Sequence, residues 1–241
     1  MRHQMAVLNA IRKAFTKGLC AILPWRCPGC GALTSAPQVL CEDCIAGVLF
    51  LRGPFCPKCG NPGDSAEVCP RCRAKRPPFA ALRSAAEYDG TARKMILQFK
   101  HADRTDLAPV LALWLAVAGR DLLADLDALV AVPMHPLRRL KRKYNQAALL
   151  AESLGRLTGI PRLHGSLARV RATASQGRKG RVSRRANVAG AFCVPDPSRV
   201  KGLSVGLIDD VLTTGATAAE CARALRRAGA RRVVVLTVAR A

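Results

Sequence analysis

The apolar residues of this chain fall into runs of strand length that alternate with segments of helical period. Strands are predicted over residues 82–88, 128–134, 163–170, 189–194, 204–209 and 232–238. Helices are predicted over residues 91–99, 106–123, 145–157 and 216–228. The near-continuous apolar run at 128–134 is typical of a strand buried on both faces of a parallel sheet. The alternation predicts an α/β fold with right-handed crossovers and a ligand site at the carboxyl ends of the strands.

The first third of the chain differs in composition, because it holds nine of the eleven cysteines. Eight of them form four Cys-x-x-Cys pairs: Cys27 and Cys30, Cys41 and Cys44, Cys56 and Cys59, and Cys69 and Cys72. Each pair turns two thiolates toward one point, and two pairs complete the tetrahedral four-thiolate site of structural zinc. Gly31 and Gly60 ease the turn after the first pair of each quartet. The spacing predicts two zinc ions, each held by one sequential quartet, while interleaved pairing stays open.

Two other chemistries for these eight thiols compete with zinc. Disulfides are disfavoured, since the chain shows no secretory signal and the expected location is the cytoplasm, where thiols stay reduced. An iron–sulfur cluster is chemically open, but the evenly spaced pairs favour zinc. The other three cysteines, Cys20, Cys193 and Cys221, have apolar neighbours and are interpreted as small core residues.

The composition divides the chain into three segments. Residues 1–25 have apolar residues at helical spacing with cations between them, which predicts an amphipathic helix too short and too charged to span a bilayer. This helix is expected to dock on the next domain, with a membrane surface as the alternative. Residues 26–77 form the predicted double zinc ribbon, which has too few apolar residues to fold without metal. Pro77-Pro78 marks the predicted boundary to a larger domain over residues 79–241.

The net charge of +23 predicts polyanionic partners such as nucleic acid or a pyrophosphate-bearing substrate. Residues 153–195 contain many arginines and no acidic residue, and a second basic cluster occupies residues 138–143. The tract from Arg162 to Arg185 and the loop from Arg138 to Lys143 are therefore candidate nucleic-acid contacts. The chain has few aromatic residues on which bases could stack, so weak sequence preference is expected. For any single cation here, a solvated surface position is an equally good interpretation.

The chemistry of the large domain is concentrated in residues 205–217, Val-Gly-Leu-Ile-Asp-Asp-Val-Leu-Thr-Thr-Gly-Ala-Thr. A predicted strand ends in the carboxylates of Asp209 and Asp210, and a loop of hydroxyl and small residues leads into a predicted helix. Backbone N–H groups converge at such a loop, and the helix dipole favours an anion. A ribose 5-phosphate suits both the acidic pair and the loop, because its hydroxyls can donate to the acids while the loop holds its phosphate. An ordinary strand ending in a solvated acidic turn is the alternative.

These thirteen residues resemble the 5-phosphoribosyl-1-pyrophosphate (PRPP) motif of type I phosphoribosyltransferases. The resemblance implies that Asp209 and Asp210 contact the ribose hydroxyls, with PRPP as co-substrate and Mg²⁺ as its companion ion. It also implies that the 5-phosphate is held by the loop residues Thr213, Thr214, Gly215, Ala216 and Thr217. Arg142 falls where that family has its pyrophosphate loop. Arg185 falls in the segment 171–187, where the family has a loop that closes over the substrate.

The whole chain resembles the ComF family of competence proteins. The resemblance rests on the Cys-Pro-x-Cys-Gly knuckles, Tyr144-Asn145-Gln146-Ala147, Arg185-x-Asn187 before Gly190-Ala191-Phe192, and the PRPP motif. It implies a role in DNA uptake during natural transformation, alongside other competence proteins. One hypothesis is a glycosyltransferase that moves the 5-phosphoribosyl group to an acceptor the sequence does not identify, with no assignable catalytic residue. The alternative is a non-catalytic module that keeps the PRPP-type pocket and binds single-stranded DNA.

One position separates this chain from the hypoxanthine–guanine enzymes of the phosphoribosyltransferase family. Those enzymes carry an acid as general base where this chain has Thr213. A threonine hydroxyl does not accept a proton near neutral pH, so salvage of 6-oxopurines is disfavoured.

Overall fold

The computed structural model describes residues 24–134, 144–171 and 188–241, and the chain forms two compact units. The first unit ends at Gly47. Its described part is a short loop structure in which Arg26 and Leu33 form a β-bridge around the first cysteine pair. A single-turn helix, α1, spans Glu42–Ala46 and contains the last cysteine of the first quartet. Gly31 has a φ of +83°, as expected for the glycine that follows a knuckle.

The second unit begins at Val48 and is built on a four-stranded parallel sheet. Its strands are β1 (Ala81–Glu87), β2 (Ala128–Ala131), β5 (Ser204–Leu212) and β6 (Arg232–Arg240). Their order across the sheet is β1, β6, β5, β2, so β5 and β6 are central. The predicted parallel α/β sheet is confirmed. Strand β5 is central and parallel to its neighbours. The two carboxylates near its carboxyl end therefore lie at the end of the sheet where ligands bind in such folds.

Helices cover both faces of this sheet. They are α3 (Gly90–His101), α4 (Ala108–Ala118), α5 (Arg120–Leu123), α6 (Gln146–Thr158) and α7 (Ala216–Arg227). Helices α4 and α6 pack on each other and against the strands, and α7 packs against β5 and β6 within a separate apolar cluster. Alternate strand residues such as Leu207 and Val235 belong to the cluster with α7. Both faces of the central strands are therefore buried, which explains their continuous apolar sequence.

Two predicted strands do not join the main sheet. Only Ala168–Arg169 of the predicted 163–170 strand is extended, as β3, and it pairs antiparallel with β4 (Phe192–Cys193). At the start of the predicted strand, Arg162 forms a single parallel bridge with Leu129 of β2, and the N–H of Leu163 donates to the carbonyl of Leu129 at 2.9 Å. Gly165, with a φ of +69°, turns the chain away before a strand can extend.

The predicted long helix over 106–123 is also divided. A 3₁₀ turn at Thr105–Leu107 precedes α4, and Gly119 separates α4 from α5. A Cβ atom at position 119 would lie 2.7 Å from Cδ2 of Leu236, so any larger residue where α4 ends would require the Leu236 side chain to shift. Packing against the sheet, rather than helical period, sets the end of this helix.

The second cysteine quartet packs on the exposed edge of β1 and belongs to the same compact unit as the sheet. The N–H of Leu51 donates to the carbonyl of Ala85, and the N–H of Glu87 donates to the carbonyl of Leu49. The single-turn helix α2 (Pro70–Ala74) begins directly after Cys69 and contains Cys72, the last cysteine of the second quartet. The units thus divide at residue 47, whereas the sequence predicts a boundary at Pro77-Pro78. Independent folding on the two sides of Pro77-Pro78 stays a prediction about stability.

No helix of the described residues combines the length and the apolar character needed to cross a membrane. The amphipathic helix predicted over residues 1–25 lies outside the described residues, apart from Pro24 and Trp25.

Candidate functional site

Each cysteine quartet gathers its four sulfur atoms within 4.8 Å of one another. In the first quartet the Sγ atoms of Cys30 and Cys41 are 3.6 Å apart, and in the second those of Cys59 and Cys69 are 3.7 Å apart. Four zinc–sulfur bonds of about 2.3 Å in a tetrahedron separate the sulfurs by about 3.8 Å. Both clusters therefore fit zinc, and the grouping is sequential, not interleaved.

The electrostatics of the two quartets follow the same pattern. Burial raises the pKa of Cys27 and Cys56, but backbone N–H groups that donate to their sulfurs outweigh it and lower each pKa to about 6. The N–H of Cys41 lies 3.3 Å from Sγ of Cys27, and the N–H of Cys69 lies 3.4 Å from Sγ of Cys56. Burial and the neighbouring thiols raise the pKa of Cys44 and Cys72. The lowered pKa values favour the thiolate form of Cys27 and Cys56, and a bound dication would favour ionisation of the remaining ligands.

The three cysteines outside the quartets were predicted to be core residues. Cys221 is fully buried on α7, which agrees with the prediction, while Cys193 on β4 is only half-buried. Cys20 lies outside the described residues.

Asp209 and Asp210 lie side by side near the carboxyl end of β5, and both are half-buried. The Nζ atom of Lys100, at the end of α3, lies 3.1 Å from Oδ2 of Asp210. An Oδ1 atom of Asp209 accepts a hydrogen bond of 2.9 Å from the N–H of Asp210. The two acids therefore differ, since an ammonium group neutralises Asp210 while, among the described residues, a backbone N–H donates to Asp209.

The pKa of Asp209 reflects this difference. Burial and the negative charge of Asp210 raise it to about 7, although the N–H of Asp210 and the charge of Lys100 act in the opposite direction. The raised pKa favours the protonated form of this carboxyl, which can donate as well as accept a hydrogen bond.

The loop that follows β5 has the form of an anion site. Gly215 caps α7 with a φ of +74°, a left-handed conformation that favours glycine, and α7 begins at the next residue. The hydroxyl of Thr214 accepts a 3.4 Å hydrogen bond from the N–H of Ala216. The side chains of Thr213, Thr214 and Thr217 retain solvent exposure. The first N–H groups of α7 have no partner within the helix and converge on this loop, as anion binding requires.

The segment Tyr144-Asn145-Gln146 holds Lys100 in place. The hydroxyl of Tyr144 donates to the carbonyl of Phe99 at 2.8 Å, and the amide of Gln146 lies 3.5 Å from the carbonyl of Lys100. Asn145 caps α6 through the N–H of Ala147 and donates to the carbonyl of Val132 at 3.1 Å. This motif therefore joins the end of α3 to the end of β2, beside the two acids.

Sequence reasoning missed two residues of this region, Lys100 and Arg71. Lys100 follows Phe99 and lies at the border of the buried stripe of α3. A cation next to the apolar face of a predicted helix was the sequence feature that could have identified it. Arg71 of α2 donates to the carbonyl of Thr214 at 3.4 Å, and no sequence pattern links these residues. Arg142 and Arg185, the predicted pyrophosphate and closing-loop residues, lie outside the described residues.

Comparison with known proteins identifies a family domain and several relatives of this chain. Residues 18–73 match the family described as "Double zinc ribbon domain", in agreement with the two cysteine clusters. The DNA utilization protein YhgH of Salmonella typhi is 35% identical over 207 residues, which span 83% of this chain and 90% of that protein. Competence protein F of Haemophilus influenzae is 31% identical over 225 residues, which span 90% of this chain and 97% of that protein.

Solved structures give a weaker similarity. The glutamine phosphoribosylpyrophosphate amidotransferase from B. subtilis, complexed with ADP and GMP, is 23% identical with a TM-score of 0.37. The match covers 57% of this chain and 26% of that protein. A TM-score of this size carries no argument about activity.

Proposed function

Since the chain belongs to the ComF family of competence proteins, we propose that it binds PRPP with Mg²⁺ and acts in DNA uptake during natural transformation. The names of its relatives, a competence protein and DNA utilization proteins, support the biological role. A cytoplasmic location is part of the proposal, because thiols that bind zinc stay reduced there.

The observation that carries the PRPP proposal is the position of Asp209 and Asp210 at the end of a central parallel strand, directly before a glycine-capped helix. A ribose bound over β5 would place its 2- and 3-hydroxyls against the two acids. Its 5-phosphate would then meet the N–H groups and hydroxyls of residues 213–217. Asp210 paired with Lys100 accepts from one hydroxyl, and Asp209 exchanges a hydrogen bond with the other.

The reaction proposed for this site transfers the 5-phosphoribosyl group. The bond between C1 of the ribose and the pyrophosphate oxygen breaks, pyrophosphate leaves with the electron pair, and a lone pair of the acceptor forms the new bond to C1. Mg²⁺ would supply charge neutralisation for the pyrophosphate. In this proposal Asp209 and Asp210 hold the ribose. Arg142 is proposed to contact the pyrophosphate leaving group. Arg185 is proposed to contact the substrate when its loop closes over the site. A base that takes a proton from the acceptor is not among the described residues of the site.

A thermal shift experiment tests PRPP binding. Ligand at a hundredfold excess over its dissociation constant contributes about 2.7 kcal/mol, which raises the melting temperature by several degrees in a domain of this size. The double variant Asp209→Asn with Asp210→Asn is expected to lose the shift, because neutral amides lack the negative charge that strengthens hydrogen bonds from the ribose hydroxyls and attracts Mg²⁺. Glu42→Gln with Asp43→Asn, an adjacent acidic pair on α1, is the matched control and should keep it. An unchanged shift in the Asp209 and Asp210 variant would overturn the assignment.

The second candidate function is a non-catalytic module that binds PRPP and single-stranded DNA. The acid-free basic tract over residues 153–195 favours it. The two functions are separated by measuring pyrophosphate release from PRPP with a panel of nucleobases and amines. Release that depends on one acceptor and is lost in the Asp209 and Asp210 variant supports transfer. PRPP binding without release for any acceptor supports the module.

A further inference from the structure

The second zinc ribbon and the loop that precedes α7 face each other across a cavity of about 430 Å³, within the second unit. One wall is the loop proposed to hold the 5-phosphate of PRPP, residues 213–216. The opposite wall belongs to the ribbon and contains Arg71 together with two cysteines of the second quartet, Cys59 and Cys72. The phosphate end of the proposed PRPP site is therefore bounded by a zinc ribbon.

Arg71 reaches the loop from the ribbon. It lies on α2 directly before Cys72, and its Nη2 atom donates to the carbonyl of Thr214 at 3.4 Å. Four other cations line the cavity, but in the described part of the chain Arg71 is the one that donates to the loop. No carboxylate of the described residues lies within salt-bridge distance of Arg71. Its guanidinium carries five N–H donors, so it keeps donors and a full charge for a phosphate bound in the loop.

The large domain anchors the ribbon beside the same loop. Arg240, at the end of β6, donates to the carbonyls of Cys59 at 3.4 Å and of Gly60 at 2.7 Å. In the sheet, Arg240 is paired with Leu212, the last residue of β5 before the loop. The knuckle that contains Cys59 is thus attached next to the start of the loop, and Arg71 adds a second link on the loop itself.

The position of Arg71 depends on the second quartet. Helix α2 has five residues, begins directly after Cys69 and contains Cys72. A helix of this length is not stable in isolation, so the cysteine cluster and its zinc set the conformation of the backbone around Arg71. Loss of zinc from this quartet should therefore move Arg71 away from Thr214. The first quartet belongs to the other unit.

We propose that the second zinc ribbon is part of the PRPP site, where Arg71 contacts the 5-phosphate and tight binding requires zinc at the second quartet. This inference rests on the proposed binding of PRPP, and it adds to that site a residue and a dependence on one of the two metal clusters. Residues 213–217 contain no cation, so the loop itself offers the phosphate only N–H groups and hydroxyls. Arg71 supplies a full positive charge and charge-assisted hydrogen bonds.

Calorimetric titration of the full, zinc-loaded chain with PRPP and Mg²⁺ tests the role of Arg71. Arg71→Gln should weaken binding about tenfold or more, because charge-assisted hydrogen bonds to the phosphate are lost. Arg73→Gln is the matched control, since it removes an equal charge from α2 on the other side of Cys72 and outside the cavity. Its affinity should stay within about twofold. Elemental analysis should find the same zinc content in both variants, and equal PRPP affinities in the two would overturn the proposal.

Ribose 5-phosphate shows which end of the ligand Arg71 meets. This probe keeps the 5-phosphate and lacks the pyrophosphate, so Arg71→Gln should weaken its binding by about the same factor as the binding of PRPP. A loss confined to PRPP would mean that Arg71 meets the pyrophosphate, which contradicts the proposal. A parent chain that binds PRPP but not ribose 5-phosphate would contradict it as well.

Cys56→Ala and Cys27→Ala test the dependence on zinc, at a temperature where circular dichroism shows the sheet to be folded. Cys56→Ala removes a ligand of the second quartet and should weaken PRPP binding at least as much as Arg71→Gln does. Cys27→Ala, in the first unit, should stay within about twofold of the parent. Equal affinities in the two cysteine variants would overturn the proposal. Should Cys56→Ala fail to fold, the comparison of the Arg71 and Arg73 variants decides, because it leaves all eight thiols in place.

The inference and the proposed function fail in different ways. If the parent chain binds neither PRPP nor ribose 5-phosphate, the proposed function itself is wrong. If the parent binds PRPP and the Asp209 and Asp210 double variant does not, while Arg71→Gln binds as tightly as the parent, the PRPP site stands and the ribbon is no part of it.

Discussion

The ammonium group of Lys100 lies 3.1 Å from a carboxylate oxygen of Asp210, and it neutralises one member of the adjacent acidic pair on β5. Lys100 comes from the end of α3, which is fixed by Tyr144 and Gln146. The pairing leaves Asp209 as the acid that carries the electrostatic cost of the site, because burial and Asp210 raise its pKa to about 7.

A pH dependence of stability follows from Asp209. Its carboxyl pKa is about 7 in the folded chain and about 3.9 in an unfolded one. Between these values the folded state of this carboxyl binds more protons than the unfolded state, so the contribution of Asp209 to the unfolding free energy falls as pH rises from about 4 to about 7. The Asp209→Asn variant lacks this contribution. As pH rises over that range, the denaturant midpoint of the variant should therefore fall less steeply than the midpoint of the parent protein.

Two further variants make this pH measurement specific. Lys100→Gln removes a positive charge that lowers the pKa of Asp209, so the fall in stability should continue to higher pH. Asp64→Asn changes an exposed acid in the second ribbon and should reproduce the parent profile. Protonation of the zinc-binding thiols affects all four proteins alike, so the differences between profiles carry the result. A profile of Asp209→Asn that matches the parent would show that the carboxyl has the same pKa in the folded and unfolded chains.

The two quartets are expected to differ in what they stabilise. We expect two zinc ions per chain by elemental analysis, and one in either Cys27→Ala or Cys56→Ala. The quartet of Cys56 packs on the edge of β1 in the second unit, so Cys56→Ala should lower the melting temperature of the sheet by several degrees. The quartet of Cys27 belongs to the first unit, so Cys27→Ala should leave that transition in place.

Circular dichroism melting curves of the two cysteine variants decide between the boundaries. If the sheet melts normally in both, the chain on each side of Pro77-Pro78 folds independently, as the sequence predicts. If it melts early in both, neither boundary describes the folding units.

Packing of the second ribbon on β1 depends on Gly60. A Cβ atom at this position would lie 2.3 Å from the carbonyl oxygen of Leu82, and the residue has a φ of +61°. Gly60→Ala should therefore cost more than the roughly 1–2 kcal/mol of the left-handed conformation alone, since the backbone of β1 or the knuckle must also move. Denaturant unfolding measures the difference.

Gly159 is the matched control for this substitution. It has a φ of +77° at the end of α6, in the same unit, and a Cβ atom there would meet nothing within 4 Å. Gly159→Ala should cost only the conformational part. An equal loss of unfolding free energy in the two variants would mean that the knuckle does not lie close enough to β1 for a Cβ atom at position 60 to clash.

The sequence was sufficient for the parallel sheet and for the grouping of the eight cysteines, because continuous apolar runs and Cys-x-x-Cys spacing are local signals. It misplaced the strands predicted over 163–170 and 189–194, since their pairing is decided by a turn at Gly165 and by tertiary contacts. Lys100 and Arg71 were missed for a related reason. Each reaches the site from an element distant in sequence, and only the packing of α3 and of the ribbon brings their charges to β5 and its loop.

The acid-free tract predicts salt-dependent binding of single-stranded DNA. Each phosphate contacted by a cation releases counterions, so affinity should fall with salt at a log–log slope of about −0.7 per contact, or near −3 for roughly four contacts. Replacing Arg178, Lys179 and Arg181 with glutamine should flatten the slope and leave the zinc content unchanged. Replacing the exposed cations Arg93, Lys94 and Arg120 in the same way provides a control of equal charge.

A rival explanation assigns the tract's charges to pyrophosphate alone, within a loop that closes over PRPP. It predicts weak DNA binding that does not saturate and that free PRPP eliminates. Filter-binding titrations at several salt concentrations, with and without PRPP, separate the two. Saturable binding whose slope flattens only in the Arg178, Lys179 and Arg181 variant identifies the tract as a DNA-binding surface. An equal change in the control variant would mean that net charge, and not this tract, attracts the DNA.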